Sequence, residues 1–281
     1  MKFSIVTPVR NGEKFIEQTI CSVLDQAGDF SLEYIIADGG STDGTLGIIK
    51  KYQDLITSKK YPIACSGVTF TYWSQQDGGQ TQALNAGFAA ATGDVFAWIN
   101  ADDYYEPGAF KKVLDAFNNY QNSGIINGSM EVKDLIKNTS TLFRSRDITK
   151  SVLAEENVAN QPSVFFKRVV FEKAGPLDVT LQYRFDHDFF IKAAGVTKFY
   201  SIPDVLSVFR IWESSKTYSQ EDKFKQELVI VSRRYSLKKI DQNVLKSLSE
   251  TFPAVFLKNN FPGAYQTVRN FVNKMNARKE G

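Results

Sequence analysis

Trp98-Ile99-Asn100-Ala101-Asp102-Asp103 closes an apolar run that begins at Val95, and the reading of this stretch decides the fold. Val95-Phe96-Ala97-Trp98-Ile99 has no polar alternate, so both faces of the segment favour burial. That is the pattern of an interior strand in a mostly parallel sheet covered by helices. In such sheets ligands bind outside the carboxyl ends of the strands. The two carboxylates that follow repel one another unless a cation or a set of donors offsets their charge. A hard divalent cation such as Mg2+ or Mn2+ suits oxygen ligands and commonly bridges carboxylates to substrate phosphates. Asn-Ala-Asp-Asp is equally the chemistry of an Asx turn, and from this stretch alone both readings stand.

The preceding chain repeats the same arrangement. Phe3-Ser4-Ile5-Val6-Thr7-Pro8 reads as a strand, Val9-Arg10-Asn11-Gly12 as a turn, and Ile16, Ile20, Val23 and Leu24 as the apolar face of a helix. Leu32–Ala37 is a second strand that delivers Asp38, followed by the tight loop Gly39–Gly44 and a helix through Ile48 and Ile49. Phe70–Ser74 is a third strand, Gln76-Asp77-Gly78-Gly79 its loop, and Leu84, Phe88 and Ala91 one face of a helix ending near Gly93. Strand-helix alternation of this kind predicts an α/β domain with a parallel sheet. Each strand-to-helix loop is polar: Thr7, Arg10 and Asn11; Asp38 and Asp43; Gln75, Asp77 and Gln80; Asn100, Asp102 and Asp103. Parallel strands put these loops on one edge, where together they describe a site for a polar ligand. Neither G-x-x-x-x-G-K-[ST] nor G-x-G-x-x-G after the first strand is present, so the loops are not phosphate cradles of those kinds.

Composition narrows the class. With 43% hydrophobic and 23% charged residues, the 281-residue chain has material for a sizeable core and is not of disordered composition. No stretch approaches the roughly 18 apolar residues of a membrane span, and Met1–Pro8 is too short in its apolar part for a signal peptide. Cys21 and Cys65 sit in apolar surroundings and read as small core residues in a reducing compartment, which predicts a cytoplasmic protein. The net charge of +3 conceals an asymmetry. Residues 1–220 carry 22 Lys and Arg against 25 Asp and Glu, whereas residues 221–281 carry 12 against 6. A basic terminal segment suits a solvated helical face, or peripheral contact with an anionic membrane surface on its inner side. The basic residues form no recognised nucleic-acid motif, so no nucleic-acid partner is expected.

Thr7-Pro8-Val9-Arg10-Asn11, Asp38-Gly39-Gly40-Ser41-Thr42-Asp43-Gly44-Thr45, Gln76-Asp77-Gly78-Gly79 and Asn100-Ala101-Asp102-Asp103 resemble, in order and spacing, the family 2 glycosyltransferases of GT-A fold. The resemblance covers roughly residues 1–217. It implies transfer of a sugar from a nucleotide-diphosphate sugar, with inversion at the anomeric carbon, to a hydroxyl of a glycan or lipid-linked acceptor, with Mn2+ or Mg2+ as cofactor. Polysaccharide biosynthesis is the implied setting. Thr7, Pro8 and Arg10 would flank the base, Asp38 would accept from its N–H, and Asp77 and Gln80 would line the nucleotide site. A uracil N–H would suit Asp38, as would guanine or thymine. Asp102 and Asp103 would together serve ribose and metal, with Asn100 a ribose contact at most; the metal ligand is Asp102 if Asn100-x-Asp102 aligns with the Asp-x-Asp motif and Asp103 if the Asp-Asp pair does.

The second half would carry the chemistry. Glu106–Phe110 starts a helix with Val113, Leu114 and Phe117, Ile125–Met130 is a strand, and residues 131–158 are weakly patterned and read as an acceptor-side loop. Gln161, before the strand Val164–Phe166, resembles a position facing the sugar phosphate. Asp186 and Asp188 open a helix where the family keeps its catalytic aspartate, so Asp186 would be the base, with Asp188 beside it. Acids at a helix start also simply complement its dipole. His187, the lone histidine, is expected to point away from both aspartates and to be exposed or outside direct contact. Phe209-Arg210-Ile211-Trp212-Glu213-Ser214-Ser215-Lys216-Thr217 resembles the family's closing loop, with Trp212 where a histidine is usual. Arg210, Ser215 and Lys216 would meet the diphosphate.

The resulting expectation is a GT-A domain over 1–217, with a nucleotide half to residue 103 and an acceptor half from 104. A helical extension over 218–281 would either pack on the body or mediate homodimerisation. Leu228, Val229, Val231 and Ser232, then Leu245 and Leu248, then Phe252–Phe256 are its pattern, interrupted by Pro253 and Pro262. Two other functions are weighed against the transferase. A sugar-nucleotide pyrophosphorylase would need a Gly-rich Arg-Lys loop after the first strand, which Thr7–Asn11 does not supply. A catalytically silent nucleotide-sugar or glycan binder fits the loss of the histidine at Trp212, but not the retention of Asp102, Asp103 and Asp186.

Overall fold

The computed structural model describes residues 1–155 and 157–235. The chain divides into two compact units, Met1–Gln220 and Glu221–Gly281.

In the first unit the apolar runs become strands. β1 (Lys2–Val9), β2 (Gly28–Asp38), β3 (Cys65–Ser74) and β4 (Val95–Trp98) are parallel in the order β3-β2-β1-β4. They are joined by α1 (Ile16–Leu24), α2 (Thr45–Thr57) and α3 (Gln80–Ala90). β1 is flanked by β2 on one side and β4 on the other: the chain runs outward from β1 through β2 to β3, and α3 then carries it back past β1 to β4. That reversal opens a crevice at the carboxyl ends of β1 and β4, where loops of such sheets take up ligands. The apolar run of β4 is buried on both faces. Val95, Ala97 and Ile99 join Phe3, Phe30, Phe110 and Phe165 in one core. Phe96 and Trp98 join Phe88, Phe166, Phe189 and Phe190 on the other side. Successive side chains of a strand point to opposite faces, so Phe165 and Phe166 separate in the same way.

The second half departs from a mostly parallel sheet. β5 (Tyr104–Tyr105), α4 (Ala109–Asn119), β6 (Ser123–Asp134), β7 (Thr139–Phe143), α5 (Lys150–Glu155), β8 (Val164–Lys167), α6 (Arg168–Ala174), α7 (Phe185–Ala194), β9 (Lys198–Ile211) and α8 (Lys216–Ser219) follow in order. β8 is antiparallel to β4 and β6, β6 is parallel to β9, and β5 is antiparallel to β9, which completes a mixed nine-stranded sheet among the described residues. The loop expected over 131–158 is corrected: β6 runs on to Asp134 and turns into β7. Asp134 Oδ1 accepts the N–H groups of Ile136 and Lys137 and so forms the turn. Every side chain of β7 is exposed, so no apolar alternation marked it as a strand. The long β9 was also unmarked: Pro203 interrupts its period, and its register against β6 shifts near Ser129.

At the amino ends of the strands, on the edge away from the crevice, Glu33 is buried. Burial alone would raise its pKa, but donors from Ser4, Thr92 and Lys2 outweigh that and hold it at about 2 against an ordinary 4.5. A depressed carboxylate stabilises the fold above the unfolded value, and that stability is lost as pH falls from 4.5 towards 2. Between pH 5 and pH 2 the wild-type chain is expected to lose about 3 kcal/mol more stability than Glu33→Gln. Urea unfolding of both chains at each pH checks this, and equal losses refute it.

In the second unit, α9 (Glu221–Arg234) carries Leu228, Val229, Val231 and Ser232, as the helical pattern expects. Leu245, Leu248, Phe252–Phe256, Pro253 and Pro262, and with them most of the basic segment, lie outside the described residues. Cys21 and Cys65 are free thiols, each partly buried. Among the described residues no helix is long and apolar enough to cross a membrane.

Candidate active site

The first two loops on the crevice edge are tied together by side chain to backbone bonds. Asn11, in the left-handed region at φ 54°, accepts the Thr42 N–H through Oδ1 at 2.8 Å, and its own N–H donates to Ser41 Oγ. Glu13 and Asp43 exchange bonds across the same gap, with Gly44 N–H on Glu13 Oε2 and Glu13 N–H on Asp43 Oδ2. A Cβ at residue 44 would lie 2.5 Å from Glu13 Oε1, so a larger residue there would displace the Glu13 carboxylate from this bond. Asp38, 1% exposed, accepts from the N–H and hydroxyl of Ser41 and from Ser74 Oγ. Its carboxylate thus ties the ends of β2 and β3 together and does not line the cleft. Thr7 is buried as well, with its hydroxyl on Tyr34 OH at 3.0 Å.

The cleft itself, about 630 Å³, opens where the topology placed the crevice. Its wall takes Pro8, Arg10, Asp77, Gln80, Asn100, Asp102 and Lys216 from the expected set, together with Lys14, Phe15, Gln182 and Trp212. Lys14, Phe15 and Gln182 were not anticipated. The first two belong to the turn before α1, and nothing in their composition separates them from ordinary surface residues.

The adjacent aspartates part company. Asp102 lines the cleft, and its Oδ2 accepts the indole N–H of Trp212 at 2.9 Å. Asp103 is 0% exposed; its Oδ1 accepts the backbone N–H of Arg210 at 2.9 Å and its Oδ2 faces Asn100 Nδ2. Burial first, and the Asp102 charge second, push the Asp103 carboxyl well above the usual carboxylate range.

Arg210, 5% exposed, turns into the body rather than to the cleft. Its Nε donates to the Asp102 carbonyl and its Nη1 to Gln18, with the guanidinium carbon 4.4 Å from the Phe15 ring centre and 5.0 Å from that of Tyr104. Burial lowers its pKa. The cations at the cleft wall are Arg10, Lys14 and Lys216. Lys216 Nζ donates to Gln80 Oε1, Gln80 Nε2 donates to Asn100 Oδ1, and Asn100 reaches Asp103, a hydrogen-bonded path from the closing loop to the end of β4.

Gln161 does not line the cleft; its Nε2 donates to the Trp98 carbonyl at 3.0 Å. Asp186 and Asp188 do not line the cleft, whose wall reaches Gln182 just before α7. Asp186 is half-buried and accepts Asn157 Nδ2 at 3.1 Å, whereas Asp188 is 0% exposed and ion-paired with Lys192 at 2.7 Å. The expected exposed setting of His187 is corrected: it is 1% exposed, with Nε2 2.7 Å from the Leu153 carbonyl, because α7 turns that position towards α5. Burial lowers its pKa.

Asp102 decides whether the site suits a metal. A hard cation held mainly by diphosphate oxygens and water needs one or two carboxylates from the protein. Asp102 meets that requirement, and Asp103, enclosed and bonded inwards, does not face the same space. Among the described residues no group of three His, Cys, Asp or Glu side chains could hold a metal without such help.

A mixed α/β sheet with a polar cleft beyond β1 and β4 and an aspartate at the turn after β4 is the GT-A architecture of nucleotide-sugar transferases. Residues 4–173 match the profile of glycosyl transferase family 2, and the chain belongs to that family. It is similar to an uncharacterized glycosyltransferase of Nostoc sp., with 32% identity over 190 residues that cover 63% of this chain and 54% of that one. The chain thus spans about half the length of that relative. Among solved structures it resembles residues 1–349 of S. aureus TarS in complex with UDP-GlcNAc, with TM-score 0.61, 17% identity, and 95% and 79% of the two chains covered. It also resembles the mannosyltransferase PcManGT of Pyrobaculum calidifontis in complex with GDP-Man and Mn2+, with TM-score 0.61, 15% identity, and 96% and 83% covered.

Proposed function

We propose that this chain is an inverting glycosyltransferase that moves a sugar from a nucleotide-diphosphate sugar to a hydroxyl of a glycan or lipid-linked acceptor, as in surface polysaccharide synthesis. The observation that carries the reading is the cleft, which sets the Asp102 carboxylate among Arg10, Lys14 and Lys216 at the switch point of the sheet. The nucleotide sugars bound to TarS and PcManGT support it, and the first makes a UDP-sugar the favoured donor.

In this reading the acceptor oxygen attacks the anomeric carbon, and the bond from that carbon to the diphosphate oxygen breaks with inversion. Asp186, at the start of α7 beyond the Gln182 end of the cleft wall, would take the proton of an acceptor bound at that end. Lys216 and Lys14 face the charge that develops on the leaving diphosphate. Asp102 would hold Mn2+ or Mg2+, which when bound offsets charge on the same diphosphate. Pro8, Arg10, Asp77 and Asn100, which line the cleft, would contact the nucleoside. The positive balance of residues 221–281 supports peripheral contact with an anionic inner membrane face, consistent with a cytoplasmic enzyme acting on lipid-linked acceptors.

Calorimetric titration with UDP, GDP and dTDP, with and without Mn2+, tests the donor site. One diphosphate is expected to bind at least about tenfold more tightly with Mn2+ than without it. Absence of binding by the folded protein refutes the proposal. Tight binding without turnover on any sugar donor selects the catalytically silent reading instead.

A further inference from the structure

Trp212 makes two contacts that join opposite charges across the cleft. Its indole N–H donates to Asp102 Oδ2 at 2.9 Å, so one oxygen of that carboxylate is fixed by a group that can only donate. Its ring carries Lys14 Nζ at 5.1 Å from the centre, within cation–π range. Phe15 braces the arrangement. Its ring meets Trp212 edge-on at 5.2 Å and 70°, Lys14 Nζ lies 4.9 Å from its centre, and the buried Arg210 guanidinium lies 4.4 Å from it. An aromatic pair anchored on a buried cation thereby supports an exposed one. Lys14, Phe15, Asp102 and Trp212 all line the cleft, although they come from the turns after β1 and β4 and from the closing loop.

We propose that Trp212 is a positioning residue that sets both charges of the donor site, holding Asp102 by its N–H and Lys14 by its ring, and that Lys14 so placed contacts the diphosphate of the donor. The inference rests on the nucleotide-sugar reading above. Lys14 carries a long, rotatable stem, and a cation–π contact restricts where its ammonium sits. A phosphate oxygen is the anionic ligand such a point charge recognises. The carboxylate, with one oxygen occupied by the indole, keeps a single orientation.

The test uses the full chain and two probes, uridine and UDP, titrated calorimetrically with and without Mn2+. Lys14→Met is expected to weaken UDP about tenfold and uridine less than about twofold, because only UDP offers the diphosphate. Trp212→Leu removes both contacts and is expected to weaken UDP by a similar factor, while the double variant Lys14→Met, Trp212→Leu falls well short of the product of the two losses. Trp212→Phe retains a ring beneath Lys14 but no N–H. It is expected to keep most of the Lys14 effect on UDP while losing part of the gain that Mn2+ gives. Multiplicative losses in the double variant, or equal losses for uridine and UDP on Lys14→Met, overturn the inference while leaving the donor site in place. Failure of the wild-type chain to bind UDP overturns both. Thermal unfolding of each variant confirms that the comparison is made on folded protein.

Discussion

Asp102→Asn is expected to lower kcat/KM by about 10^3-fold or more and to abolish the Mn2+ dependence of nucleotide binding. The size follows from the role proposed for the carboxylate: loss of a charge that anchors a cation on a leaving diphosphate removes several kcal/mol of transition-state stabilisation, of which about 4 corresponds to 10^3 in rate. Asn is nearly isosteric and can still accept the Trp212 N–H, so the turn and its hydrogen bond should persist. Asp103→Ala, one residue on, makes the contrast. It removes an acceptor for the buried Arg210 N–H and should cost about 1–3 kcal/mol of stability while leaving the Mn2+ effect on the surviving folded protein unchanged. Urea unfolding and calorimetry on the two variants separate these outcomes. If Asp103→Ala abolished the Mn2+ effect and Asp102→Asn preserved it, the assignment of the cleft carboxylate would be reversed.

The difference between these neighbours also shows where a sequence stops being informative. Asp102 and Asp103 lie in the turn that the Asp103 N–H closes on the Asn100 carbonyl, not on a strand, so no period of the sequence says which of them faces the cleft. Topology decides it: β4 runs beside β1, the end of β9 brings the Arg210 backbone to Asp103, and the loop after it brings Trp212 to Asp102. The four parallel strands were legible because β4 reads as an unbroken apolar run and the helix faces at Ile16, Ile20, Val23 and Leu24 keep a helical period. β7 and β9 were not, since the first buries nothing and the second contains Pro203.

Arg210 and His187 taught a second lesson. Arg210, a cation in a motif, looks like a ligand contact, yet its guanidinium is a buried clamp between Phe15 and Tyr104, and His187, expected to be exposed or outside direct contact, is buried against the Leu153 carbonyl. Residue type was informative about chemistry, but side-chain direction depended on partners distant in the chain, 108 residues for Arg210 with Asp102 and 34 for His187 with Leu153.

Asp186→Asn is expected to leave UDP affinity within about twofold of wild type and to reduce kcat by about 10^2- to 10^4-fold, the range over which a positioned base contributes. Binding should persist because Asp186 stands outside the cleft wall proposed to hold the nucleotide. Turnover should fall because α7 carries the carboxylate at a fixed place relative to that wall. Phe190 stacks on Trp98 at 5.8 Å and 18°, with Phe185 and Phe189 on the same indole, and Trp98 lies just before Asn100 and Asp102 on the chain. The helix and the turn after β4 are thus two faces of one packed aromatic cluster, and reacting groups held by such a cluster keep their spacing. Asn157, which donates to Asp186 Oδ2, supplies the graded comparison: Asn157→Ala should lower kcat by roughly tenfold, since the base remains but loses a partner that orients it. Steady-state kinetics with a saturating UDP-sugar, alongside calorimetry with UDP, would measure the split. Wild-type kcat in Asp186→Asn would remove the base from α7. A large loss of UDP affinity with unchanged kcat would move Asp186 into the nucleotide site, and the transferred proton would then need another acceptor.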